Sequence, residues 1–358
     1  MAYTTIDDPS KHFQTKIYTG NGSSNHAITF DGNSNLQPDL IWNKSRSIAD
    51  SHAMFDSSRG VNKILFPNVA NVESTDTNGN LESFDSNGIT VGGNQEYANK
   101  SSSSQVTWAW KANGGTRTTN TESGSNPGGG YQANTTAGFS IVDYTGTGSA
   151  GTMAHGLGVA PNFVLVKGRS TGEHWTATLM NVTNSPVDET DRIKFNEAET
   201  AQDNSVYWND TAASSTNVTL GSGDATNKDG DTYIMYVFAS IQGFSKVGFY
   251  TGSGNANGPF IYTGFQPAWV MVKQTTTTNR DWRIVDNARD TYNLSTTELK
   301  PNTTGAETTS GMQLDLLANG FKIRTTSTAC NSSSDTYIYM AFAEHPFVSS
   351  EGVPCTAR

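Results

Sequence analysis

One pattern recurs three times along this chain and limits its fold more than any single motif does. An aromatic-led segment ending in a Tyr-Thr-Gly turn occurs at Phe13 to Gly20, Phe139 to Gly146 and Phe244 to Gly252. Each is answered by an alternating aromatic run: Val106 to Trp110, Tyr233 to Phe238, and Tyr337 to Phe342. From opening Tyr to closing aromatic the spacing is 92 residues (Tyr18 to Trp110), 94 (Tyr144 to Phe238) and 92 (Tyr250 to Phe342). Self-similarity at a fixed period marks tandem units, each too small to bury its apolar face alone. Between the two ends lies a Pro, an apolar run and a Lys six positions on: Pro38 and Lys44, Pro161 and Lys167, Pro267 and Lys273. Pro cannot donate to a ladder and marks the first residue of a strand. The runs Leu40 to Trp42, Phe163 to Val166 and Trp269 to Val272 are apolar on both faces, as central strands are, and the Lys ends each strand in water.

The expected fold is therefore all-β, with three tandem diverged β-sandwich units of jelly-roll-like type at 1–112, 138–241 and 242–348. Asn87-Gly88 and Asn319-Gly320 supply tight hairpin turns in the first and third units. Residues 113–137 are rich in Gly, Ser, Thr and Asn and read as a flexible linker that lets unit one move, and 349–358 as a loose tail. Units two and three are joined only by Ser240 to Gly243 and are expected to pack as one body.

Charge and composition remove several function classes. A net charge of −10 without basic runs excludes a phosphate-gripping surface, so nucleic acid is not an expected partner. No run of eighteen apolar residues suggests membrane insertion, and Met1 to Lys11 has no signal-peptide character, so synthesis in the cytoplasm is expected. Cys330 and Cys355 are too few for a disulfide framework, and whether they pair is left open.

Few residues are spaced for chemistry. His12, His26, His52, His155, His174 and His345 fall at different places in the repeat and form no metal-ligand spacing, so no catalytic or metal residues are assigned. Asp188 to Asp191 and Asp224 to Asp231 concentrate carboxylates. No cofactor is expected, and a calcium loop near Asp229 and Asp231 is the lesser reading, because the distal Glu of such loops is missing. Asp56 with Arg59, and Asp286 with Arg289, recur as Asp-x-x-Arg and are expected to be structural ion pairs bracing a turn. Trp175, Trp208 and Trp282 are the least readily placed in a core and are the candidate ligand contacts, since exposed indoles stack on sugar faces.

With these residues in hand, the chain resembles a three-repeat virion protein family of marine and cyanobacterial tailed phages, of tail fibre or capsid-surface type. The likeness rests on Met1 to Ser10, the Tyr-Thr-Gly turns at Tyr18, Tyr144 and Tyr250, Gly156 to Pro161, and Tyr337 to Phe347. It implies a non-enzymatic virion surface protein: a tail fibre or receptor-binding component that contacts host surface glycan. The alternatives are a structural capsid or tail decoration protein, docked through unit one, and a glycan depolymerase. Implied partners are other phage structural proteins and copies of the chain itself, with a trimer favoured.

Overall fold

The computed structural model describes residues 3–309 and 311–356. Strands hold 39% of the chain and helices 4%, so the fold is all-β. One strand order occurs three times. In the first sheet an opening strand, Phe13–Thr19, pairs with a closing strand, Ser104–Trp110; this pairs with a central strand, Leu40–Ser45, and then a flanking strand, Ala53–Asp56. The second sheet repeats the order with Phe139–Thr145, Thr232–Phe238, Phe163–Gly168 and Thr176–Leu179. The third does so with Ser245–Thr251, Thr336–Pro346, Phe265–Gln274 and Arg283–Asp286. Tyr18, Tyr144 and Tyr250 each stand one residue from the end of the opening strand, opposite Gln105, Tyr233 and Tyr337.

The recurring Tyr-Thr-Gly has a physical cause. Each Tyr hydroxyl donates to a buried backbone carbonyl just before the closing strand: Ala98 at 2.6 Å, Thr226 at 2.6 Å and Cys330 at 2.7 Å. The next residue in each case is an Asn whose Oδ1 accepts a backbone N–H from the opening turn, at 3.0 Å from Asn21, 2.9 Å from Thr147 and 2.8 Å from Ser253. These contacts press the turn against the chain. A Cβ on Gly20, Gly146 or Gly252 would lie 2.2, 2.3 or 2.1 Å from a carbonyl oxygen, so only glycine fits there.

Alternate residues of the central strands of the first two sheets enter different cores, and both faces of the third lie in one large core, which is why these strands are apolar on both faces. The outer face of the first sheet packs Ile41, Phe55 and Ala109 against Ile28, Ile89 and Val91 of a small three-stranded sheet, which carries the Asn87-Gly88 hairpin. The second packs Val142, Val164 and Met235 against Met153, Val218 and Leu220 of a two-stranded one. The third pairs with a sheet built on Asn319-Gly320. The inner faces of all three large sheets meet in one further core. There Trp110, Phe238 and Phe342, the three closing aromatics, form a triangle with ring centroids 6.3, 5.6 and 5.9 Å apart. The space left at this junction is about 20 Å³, bounded by Leu40, Phe163 and Trp269 among others, one from each central strand.

This shared core corrects several expectations. Unit one is not a mobile module, because its Phe13, Trp42 and Trp108 are buried among residues of the other two. Nor is 113–137 a flexible linker: it contains strands Thr118–Asn120 and Gly129–Asn134, and the latter pairs with the opening strand Phe139–Thr145. Edge pairing supplies backbone partners, so a segment poor in apolar side chains still orders. The tail is also tied down as far as Cys355: Cys355 N–H donates to Phe347 O, and Ser350 N–H to Asp7. Positions 357–358 lie outside the described residues. None of the three prolines is the first residue of its strand: Pro38 and Pro161 lie two residues before Leu40 and Phe163, and Pro267 lies inside Phe265–Gln274, where register shifts on either side accommodate it. Cys330 and Cys355 are both free thiols.

Candidate functional site

The three Trp candidates fail as ligand contacts. Trp175 and Trp208 have no exposure and Trp282 has 1%. Trp175 and Trp282 lie in the central core, at the start of the flanking strand in their sheets, and Trp208 ends a four-residue helix, Ser205–Trp208, over the outer core of the second sheet. None offers a ring face to a sugar.

The Asp-x-x-Arg pairs form as buried ion pairs, and they sit at the joints between sheets. Arg59 Nε lies 2.5 Å from Asp56 Oδ2, and Arg289 Nε 2.6 Å from Asp286 Oδ2, with no side-chain exposure in either pair. Each carboxylate takes a bond from the next sheet: Tyr236 OH donates to Asp56 at 2.7 Å, and Trp108 Nε1 to Asp286 at 3.0 Å. Each Arg also reaches a Glu that is clamped in bidentate fashion from that same neighbouring sheet: Arg59 to Glu73, held by Arg169, and Arg289 to Glu307, held by Arg46. Burial opposes ionisation of Glu73, but Arg169 and Arg59 outweigh it and hold its carboxyl below the usual range. The third joint solves the same problem without charge. Leu179 pairs with Phe163 of its central strand as Asp56 does with Leu40 and Asp286 with Trp269, and Met340, opposite Met271, stands where Trp108 and Tyr236 stand opposite Trp42 and Leu165. Both lie in the central core.

The recurring lysines do not end their strands in water. Lys44 and Lys167 have no exposure and Lys273 has 1%. Lys44 Nζ donates to the carbonyls of Ser45 and Ile48, Lys167 Nζ to those of Gly168 and Thr171, and Lys273 Nζ to that of Arg280, closing the loop after each central strand. Burial pushes each amine down to about 8. A Lys at one fixed place in three apolar runs was the available signal that these amines hold loops.

Concave surface lies at the joints and in loops. One hollow of about 470 Å³ lies by Gln266, His345 and Cys355, and another of about 380 Å³ by Asn181, Asp188 and Glu189. Asp188 is committed to its own loop, accepting from Thr190 N–H and Oγ1, while burial raises the Asp191 carboxyl. A third, of about 420 Å³, runs along the outer edge of the first opening strand. Among the described residues no group of three or more His, Cys, Asp or Glu converges on a metal position. Asp231, part of the calcium reading, instead accepts from Ser170 and lies 3.6 Å from Lys228.

A family model described as a domain of unknown function (DUF7483) matches residues 8–346. The chain belongs to this family. The matched span runs unbroken through all three large sheets, as the shared core does. No curated protein matches the chain, and no solved structure does.

Proposed function

We propose that this member of the DUF7483 family is a non-enzymatic structural protein of a tailed-phage virion surface, built from three tandem diverged copies of one module. The observation that carries the reading is the closed three-sheet junction at Trp110, Phe238 and Phe342. Buried polar side chains such as Asn99, Asn227, Asn331, Lys44 and Lys167 hold turns, and Asp56 and Asp286 hold joints, which suits a rigid exterior component. Uncharged hydroxyl and amide surfaces also keep their solvation in salt, where charge interactions are screened. Burial of Trp175, Trp208 and Trp282 shifts the balance from a glycan-contacting fibre toward a decoration protein. The three-sheet closure happens within one chain, so the core needs no trimer.

Quantitative mass spectrometry of purified particles tests this. Hundreds of copies per particle are expected for decoration. Absence of the chain from intact particles, or release of oligosaccharide from host polysaccharide by the purified chain, contradicts the reading.

A further inference from the structure

The second opening strand, Phe139–Thr145, does not end its sheet. Strand Gly129–Asn134 lies against its outer edge in antiparallel register, Phe139 opposite Asn134, Ile141 opposite Gln132 and Asp143 opposite Gly130. This added strand sits in a groove whose far wall is the Asp56-to-Arg59 turn of the first unit. There Gln132 Nε2 donates to Ser57 Oγ at 2.8 Å and Ser58 Oγ at 2.7 Å.

The first opening strand has the same groove without the strand. Its edge residues Phe13, Thr15 and Ile17 face Ala268, Asn287 and Ala288 of the third unit across the hollow of about 420 Å³. The far wall is built alike in both places. Asn287 N–H donates to Ala268 O as Ser57 N–H does to Asp39 O, and Arg289 N–H donates to Asp286 as Arg59 N–H does to Asp56. Thus Asn287 and Ala288 stand where Ser57 and Ser58 stand.

Register fixes which backbone groups the edge presents. Lys111 N–H donates to His12 O and Gly20 N–H to Ser103 O, so even-numbered residues of the opening strand bond the closing strand. The N–H and C=O groups of Thr15 and Ile17 therefore point into the groove. Two side chains there suit an incoming strand. Thr15 Oγ1 is buried with no hydrogen-bond partner among the described residues, at the place where the filled groove has Ile141. Ile17 is an apolar edge residue left 39% exposed. The third opening strand lacks this opening, because the connection itself covers it: Ser245 N–H donates to Ile241 O and Val247 N–H to Ser240 Oγ.

We propose that the groove beside Phe13–Thr19 receives an extended strand from another polypeptide, by antiparallel addition to that edge. The strand is uncharged, with small residues beside Ile17 and an amide side chain beside Thr15, as Gly130 and Gln132 are placed in the filled groove. Backbone bonds give such an addition its affinity, and the alternate side chains give it specificity. The inference is independent of any virion role.

The probe is a synthetic peptide with the sequence of residues 127–135, titrated into the full chain and followed by amide NMR. Saturable shifts confined to Phe13–Thr19 and to Asn287 and Ala288 are expected. Ile17→Pro removes an N–H that the closing strand does not use, and proline is tolerated at sheet edges. It should weaken binding at least tenfold. Ala288→Tyr, which fills the groove from the opposite wall, should do the same should the proline variant fail to fold. A peptide carrying Leu in place of Gln132 should bind several-fold more weakly. Shifts elsewhere, no shifts at millimolar peptide, or binding that survives both protein variants overturns the proposal. So does self-association of the chain that Ala288→Tyr abolishes, since a second copy then fills the groove.

Discussion

Lys44, Lys167 and Lys273 are buried amines held far from their usual chemistry. Each amine titrates near 8 in the fold and near 10.5 when unfolded. Between those values the unfolded chain binds more protons, so stability rises with pH; below about 8 both states are protonated and the burial penalty is constant. The unfolding free energy from denaturant titrations should climb from pH 8 to about 9.5, by up to about 2 kcal/mol per lysine. Above about 10 the climb reverses, because burial raises the folded-state pKa of Tyr144, Tyr236 and Tyr250, and the unfolded tyrosines ionise first. Lys167→Met should flatten the climb, and an unchanged slope would refute this assignment. Trp175→Ala and Trp282→Ala should each destabilise by about 3–5 kcal/mol, as removal of a buried Trp does. Equal midpoints with the parent would place those rings outside the core. The burial of these residues was not legible in the sequence. Lys is almost never fully buried, and no local pattern reports carbonyls four or seven residues on that turn back to meet it.

Among elements, the joints between sheets carry the most specific design. Two use a buried carboxylate, its Arg, and an aromatic donor from the next sheet; the other uses Leu179 and Met340. Breaking one member strands a charge, so Asp56→Asn should lower stability by about 3–5 kcal/mol. Asp56→Leu, Arg59→Val and Tyr236→Met together copy the apolar joint, in which Val182 follows Leu179 by three residues. Glu73 keeps Arg169 in that triple variant. Urea denaturation should find the triple variant more stable than Asp56→Asn alone; a cost at least as large would deny that the two solutions are equivalent. The ion pairs themselves were legible in Asp-x-x-Arg spacing, as were the Asn-Gly hairpins. Their place at a joint was not, because Tyr236 and Trp108 lie 180 and 178 residues away from the carboxylates they bond.

For the whole molecule, periodic aromatics marked the opening, central and closing strands but not their order within each sheet, and composition misjudged how the units relate. Gly and Asn content made 113–137 resemble a tether, whereas its strand Gly129–Asn134 draws order from a ready sheet edge and wedges between two units. Alternating apolar faces also said that both sides of each sheet are buried, without saying that the inner sides of three sheets bury one another. The central claim is that these inner faces form one core, so that no unit unfolds alone. Differential scanning calorimetry of the intact chain tests it directly. One transition is expected, with calorimetric and van't Hoff enthalpies equal. Two or three separate transitions would contradict it.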